Sequence, residues 1–357
     1  MIKNTILIFP SSIAASLNFS HKAKNRGDKI IAASSVKSDE TSKLYDQWIL
    51  LPSIYENNFT EKFIDVIRKY KVTDFFTPHA LVYNVVKKII NENDLNINIT
   101  DNSPIESLNN EYKQLLSRTE EVIRFVKTIN CKSKISIETI ASILHHAEQI
   151  YGQTSETKIA VMIALFGLAP KGDVIEIGSA WGRSAFVLSA LANYYKIGNV
   201  LCIDPWDEMI ASQKNSSGDL EDLNRNLDWE LMFQIFKINI LSIAKENLNY
   251  IRTTSEKAEK VYKRSRVVES KEFGKTKLKG KISVIHIDGN HDYKEVSKDY
   301  KIWRKYILPG GWLILDDYVW EHGKGPQKVG DELIKKESAS IKMAFTAGKA
   351  LFVNFKE

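Results

Sequence analysis

The chain has 357 residues, 43% hydrophobic and 26% charged, which excludes a disordered chain and favours two folded domains. Fifty basic residues against 44 acidic ones leave a net charge of +6 spread along the chain, which argues against a nucleic-acid-binding protein. The one dense basic run, Lys271 to Lys281, is expected to be a solvated loop. Cys131 and Cys202 lack metal-ligand spacing, and Cys202 lies in an apolar strand, where a packed thiol is expected. The start, "MIKNTILIFP", has no cleavage-like site, and the longest apolar stretch, Ile159 to Leu168, is too short to span a bilayer. A cytoplasmic protein without membrane contact is the expectation.

The first hundred residues alternate two patterns. "TILIFP" (5–10), "KIIAASS" (29–35), "WILLP" (48–52), "DFFTPH" (74–79) and "NINIT" (96–100) read as strands. Between them, "TEKFIDVIRKY" (60–70) puts Phe63, Ile64, Ile67 and Tyr70 on one helical face. The alternation predicts a small parallel α/β domain over 1–103. Its first turn, "FPSSIAAS", has no glycine to let the backbone approach a pyrophosphate, so no nucleotide is expected there. With "LYDQWILLP" and "IRKYKVTDFFTP", this region resembles the small domain that precedes the ATP-grasp fold in carboxylases and ligases. Acceptor recognition, or assembly into a homo-oligomer, is its expected role. Residues 104–136 follow as an amphipathic, charged helical connector. Two helical stretches, about 137–151 and 154–168, then lead into a longer α/β run.

"GDVIEIGSAWGRSAFVLSALA" (172–192) is a strand, a glycine turn and a helix. Gly178 permits the turn, Gly182 lets the helix approach a ligand, and Ser184 sits in the first helical turn. The next strand, "GNVLCIDPW", ends in Asp204, placed to bond the hydroxyls of a ribose or else to cap a helix begun by Pro205. Residues 208–249, with "DWELMFQIFKINI", read as an inserted helical cap over an acceptor site.

"KISVIHID" reads as the fourth strand of this domain and presents Asp288 at its carboxyl end, where open α/β sheets bind ligands. A helix with Val296, Tyr300, Trp303 and Ile307 on one face packs back, "LPGG" turns the chain, and "WLILDDY" ends in Asp316 and Asp317. Three carboxylates at adjacent strand tips repel one another unless a cation intervenes, so Mg²⁺ or another divalent ion is expected on Asp288, Asp316 and Asp317. His291, three residues past Asp288 on the turn rim, is placed to accept a proton from a hydroxyl. His286, inside the strand, reads as structural. His322, just past the acids, could line a substrate pocket. His21, His79, His145 and His146 have no evident partner in the sequence.

"EIGSAWGRS", "CIDPW", "IDGNH" and "LPGGWLILDDY", in that order, resemble the class I S-adenosylmethionine-dependent methyltransferases. The similarity is to the metal-dependent O-methyltransferases of sugars, macrolides and other antibiotic precursors, and spans about 137–357. It implies a Rossmann-like domain, a mostly parallel doubly wound sheet, preceded by the smaller α/β domain and the connector. It implies S-adenosylmethionine as cofactor, with Glu176, Gly178 and Gly182 on its methionine part and Asp204 on the ribose. Ser255, in "YIRTTSEKA", falls beside the adenine, and Ser179, Ser184 and Asp288 complete the set. Relatives place a general base at the position of His291. Ala180 departs from the pattern, which has glycine there. The implied acceptor is a carbohydrate or other small molecule. An NAD(P)-dependent oxidoreductase would also be α/β with an acid after its second strand, and a scaffold protein could keep the fold without catalysis. The first lacks a pyridine-nucleotide glycine pattern and leaves the three carboxylates unexplained.

Overall fold

The computed structural model describes residues 4–130, 132–211, 225–244, 247–319, 321 and 323–357. The chain divides into two compact units between Gln114 and Leu115.

In the first unit, β1 (Thr5–Ile8), β2 (Lys29–Ser34), β3 (Trp48–Leu50), β4 (Asp74–Phe76) and β5 (Asn98–Ile99) form a parallel sheet, ordered β3-β2-β1-β4-β5. Parallel neighbours need crossovers, and helices α1 (Ala14–Asn25), α2 (Phe59–Tyr70) and α3 (Ala80–Glu92) lie between strands of this sheet. Successive β1 side chains point to opposite faces. Leu7 packs with Phe63, Phe75 and Val86, while Ile6 and Ile8 pack with Ala23 of α1. On α2, Phe63 and Ile67 are buried, with Ile64 and Tyr70 at the margin of that core.

Helix α4 (Pro104–Ile129) contains the boundary, and its later turns bury Leu115, Val122 and Val126 in the second unit's core. Helices α5 (Ile137–Gln149) and α6 (Glu156–Phe166) start at Ser136 and Ser155, whose hydroxyls accept from the backbone N–H of Thr139 and Lys158. From Lys158 to Phe166, every residue of α6 is buried.

The second unit's main strands are β6 (Asp173–Ile177), β7 (Val200–Asp204) and β8 (Leu248–Arg252), then, after the hairpin of β9 (Val267–Ser270) and β10 (Gly274–Lys277), β11 (Ile282–Ile287), β12 (Ile307–Leu315), β13 (Ile341–Ala347) and β14 (Ala350–Phe355). Their order is β13-β14-β12-β11-β6-β7-β8, and β14 runs antiparallel to both of its neighbours. Between β6 and β11 the direction of winding reverses, which puts the ligand crevice beyond the carboxyl ends of those two strands. One face buries Val174, Cys202, Val284 and Ile314 under α4 to α7 (α7, Arg183–Tyr194), and the other buries Ile175, Ile203, Ile285 and Leu313.

Three sequence expectations change here. Part of the basic run is strand β10, anchored because buried Asp173 accepts from the backbone N–H of Lys279 and Gly280. "LPGG" lies inside β12, as an irregularity of register, and does not turn the chain. After the short α8 (Glu208–Ala211), α9 (Trp229–Ala244) buries Met232, Phe233, Phe236 and Ile240 in the same core as α7. It is thus the crossover that parallel β7 and β8 require, and not an addition to the fold. Residues 212–224 and 245–246 of the expected cap lie outside the described residues. Among the described residues, no helix is long and apolar enough to cross a membrane.

Candidate active site

The turn after β6 holds Gly178 at φ +85° and Gly182 at φ +96°, conformations that glycine adopts without steric cost. A Cβ on Gly178 would lie 2.0 Å from the carbonyl oxygen of Asp288, so the tips of β6 and β11 touch there. A Cβ on Gly182 would meet Phe236 and Ile240 of α9 at 3.1 and 3.2 Å, so its close approach is to that helix. Asp204 ends β7 with both oxygens engaged. Oδ2 accepts from the N–H of Ser179 and Ala180, and Oδ1 from that of Trp206. Burial nevertheless pushes its pKa up against those three donors. No helix starts at Pro205. Fully buried Glu176 accepts from the Ser179 hydroxyl at 2.7 Å and lies 3.3 Å from Nδ1 of His286. Asp204 and Glu176 therefore brace the loop from beneath.

Two cavities open on this loop. The first, about 250 Å³, is lined by Gly178, Asp204, Ser255, Asp288 and Asp299 among others. Ser255 starts α10 (Ser255–Arg264), and its hydroxyl accepts from the Trp303 indole N–H at 2.8 Å. Asp299, on α11 (Tyr293–Trp303), is pushed up to about 7, chiefly by burial and against a bond from Ser255. The second cavity, about 610 Å³, is lined by Gly178, Ser179, Gly182 and Ser184 and also by Asp288, His291, Asp316 and Asp317. Tyr151, Trp181 and Lys349 stand in the same wall.

Asp288, His291, Asp316 and Asp317 lie in one cavity wall. His291 Nε2 lies 3.7 Å from Asp288 Oδ1 and 3.5 Å from Asp317 Oδ2. Asp288 is pushed up to about 7 by burial and then by the charge of Asp316. Asp317 is raised for the same two reasons. Burial works downward on His291, but the neighbouring Asp288 carboxylate, with Asp317 and Asp316 behind it, holds it above the usual imidazole range.

Two participants were not expected. Lys158 of α6, fully buried, donates to Asp316 Oδ2. Burial works against its charge, yet Asp316, Asp288 and Asp317 hold its pKa up, and Lys158 in turn holds Asp316 well below the carboxylate range. His286, read as structural, sits with Nε2 3.6 Å from Asp316 and 3.9 Å from Asp288. A signal for Lys158 existed: it is a cation placed directly before the apolar helical run "IAVMIALF" and inside the same helix. Nothing local marks His286, since its strand is buried throughout. His322 lies outside the described residues.

Residues 175–318 match the family described as a methyltransferase domain. This segment is a methyltransferase domain. That match favours the methyltransferase reading over the oxidoreductase one. The methyltransferase domain has a curated relative, an uncharacterized protein of Acanthamoeba polyphaga mimivirus, 27% identical over 173 residues. That match covers 48% of this chain and 63% of the relative, so the chain spans less than two thirds of that protein. Among solved structures, the calicheamicin methyltransferase CalS11 is 12% identical with a TM-score of 0.41, covering 68% of this chain and 93% of that one. The O-methyltransferase NovP is 12% identical with a TM-score of 0.39, covering 62% and 82%. The mycinamycin-pathway methyltransferase MycE, solved with Mg, SAH and mycinamycin VI, is 14% identical with a TM-score of 0.31, covering 52% and 45%.

Proposed function

We propose that this protein transfers a methyl group from S-adenosylmethionine to a hydroxyl of a sugar or glycosylated small molecule, aided by a divalent cation, with His291 as general base. One observation carries the reading. The tips of β11 and β12 bring Asp288, His291, Asp316 and Asp317 into the same cavity wall as the glycine turn expected to hold the cofactor. Tyr151 and Trp181, edge to face at 4.7 Å in that wall, add an apolar platform of the kind a sugar ring packs on.

The residues fit a cation. Three carboxylates supply the oxygen ligands a hard divalent ion takes, and Asp288, raised first by burial and then by the charge of Asp316, is a group such an ion would stabilise in its ionised form. When bound, S-adenosylmethionine supplies an electrophilic methyl, and the ion a Lewis acid that lowers the pKa of the acceptor hydroxyl. His291 Nε2 takes the hydroxyl proton, and Asp288 and Asp317, at 3.7 and 3.5 Å, stabilise the imidazolium that results. The close approach of Gly178 to Asp288 keeps the glycine turn and the acid cluster adjacent, so a cofactor on the one and an acceptor on the other would be brought side by side. The first unit is assigned to acceptor recognition or assembly, because its glycine-free first turn offers no phosphate site. A methyl-transfer screen against nucleotide sugars and glycans, with and without Mg²⁺, tests this. Transfer to a sugar hydroxyl that stops on chelation is the expected result. Full activity after exhaustive chelation would remove the metal, and the absence of any transfer across the screen would remove the acceptor class.

A further inference from the structure

We propose that His286 is a direct ligand of the cation site, and that its nitrogen makes the site select a transition-series divalent ion such as Mn²⁺, Fe²⁺, Co²⁺ or Zn²⁺ over Mg²⁺. The inference rests on the metal-assisted reading above and changes which metal carries it. His286 is fully buried, and its Nε2 has no hydrogen-bond partner among the described residues. That atom is aimed between two carboxylates, 3.6 Å from Asp316 and 3.9 Å from Asp288, too far for a hydrogen bond to either.

The other ring nitrogen explains the arrangement. Nδ1 lies 3.3 Å from Oε1 of Glu176, within reach to donate its hydrogen to that oxygen. In a neutral imidazole the lone pair is then on Nε2, facing acceptors on two sides. Three electron-rich groups pointed at one spot call for a cation between them. A carboxylate that receives one ring N–H while the opposite nitrogen faces a metal is the usual support of a metal-bound histidine. Glu176 is itself fixed by the Ser179 hydroxyl at 2.7 Å, which ties the site to the cofactor loop.

Ligand atoms of His286, Asp288 and Asp316 lie within 4.8 Å of one another, close enough for one ion. Lys158 occupies one oxygen of Asp316, and its single ammonium faces three carboxylates, Asp288, Asp316 and Asp317. Mg²⁺ favours oxygen-only surroundings, whereas imidazole nitrogen suits the later divalent ions.

The test is spectroscopic and needs no turnover. Full-length protein carrying His291→Gln and His322→Gln is stripped of metal, loaded with Mn²⁺ and examined by pulsed EPR. The expected result is a ¹⁴N coupling to bound Mn²⁺ that becomes a ¹⁵N coupling when the histidines are ¹⁵N-labelled. Adding His286→Gln should abolish the coupling and weaken Mn²⁺ binding at least tenfold, while Mg²⁺ affinity changes far less. If that variant does not fold, the labelled double variant decides alone. Mn²⁺ bound without nitrogen coupling, or no Mn²⁺ binding at all, would overturn the proposal. Metal-dependent methyl transfer alongside an all-oxygen Mn²⁺ spectrum would sink this inference and spare the enzymatic reading. Nitrogen coupling in a protein that transfers no methyl group would do the reverse.

Discussion

His291 stands 3.7 Å from Asp288 and 3.5 Å from Asp317, and these two carboxylates make it a stronger base than a free imidazole. His291→Ala should lower turnover by about 10²–10⁴, the usual contribution of a positioned base, with cofactor affinity by calorimetry nearly unchanged. Near-normal turnover would leave the hydroxyl to be activated without it. Lys158 tests charge compensation: Lys158→Met keeps the volume but strands Asp316 as a buried carboxylate, an effect of about 3–5 kcal/mol in denaturant unfolding. Adding Asp316→Asn should recover much of that loss, and a purely additive pair would show that the two side chains do not interact. Asp299 sets a pH dependence. Its folded pKa, about 7, lies above the unfolded value of about 3.9, so the folded state binds the extra proton between them. Its contribution is full below pH 4 and is lost as the pH rises to about 7. Asp299→Asn should flatten that fall and raise the melting temperature most at pH 8. A parallel pH profile in the variant would refute the assignment.

At the scale of elements, the site depends on how closely two strand tips approach. Gly178→Ala places a methyl 2.0 Å from the Asp288 carbonyl oxygen and must push the turns after β6 and β11 apart. Cofactor and metal binding should fall together. Gly274→Ala is the matched control, because Gly274 also has positive φ but nothing within 4 Å of its Cβ position. It should cost about 1 kcal/mol of backbone strain and leave binding intact. Equal losses in the two variants would show that strain, not crowding, is the issue. Short, nearly continuous apolar runs made β6, β7, β11 and β12 legible in the sequence, with Asp204, Asp288, Asp316 and Asp317 at or just past the ends of β7, β11 and β12. The irregular start of β12 was not legible, because Pro309, Gly310 and Gly311 read locally as a turn while pairing with β11 continues past them.

Over the whole molecule, α4 belongs to both units in sequence, and its Leu115, Val122 and Val126 complete the second core. A fragment of residues 104–357 should therefore fold and bind S-adenosylhomocysteine like the full chain, while losing turnover on the acceptor. Residues 131–357, lacking those three side chains, should be markedly less stable. Equal melting temperatures for the two fragments would deny α4 that role, and full turnover by the longer one would deny the first unit its part in recognition. By itself the sequence determined what is local: periodicity named the strands and helices, and residue type named the acids at strand ends and His291 on the rim. Only the tertiary structure brought in Lys158 and His286. Lys158 lies 130 residues before Asp288, and His286 occupies a strand buried along its whole length, so neither had a chemical partner in its own segment. Their significance comes from the charges that folding places around them. A buried ammonium or imidazole is tolerated only where opposite charge surrounds it, and that neighbourhood exists only once the sheet has assembled α6, β11 and β12 around one point.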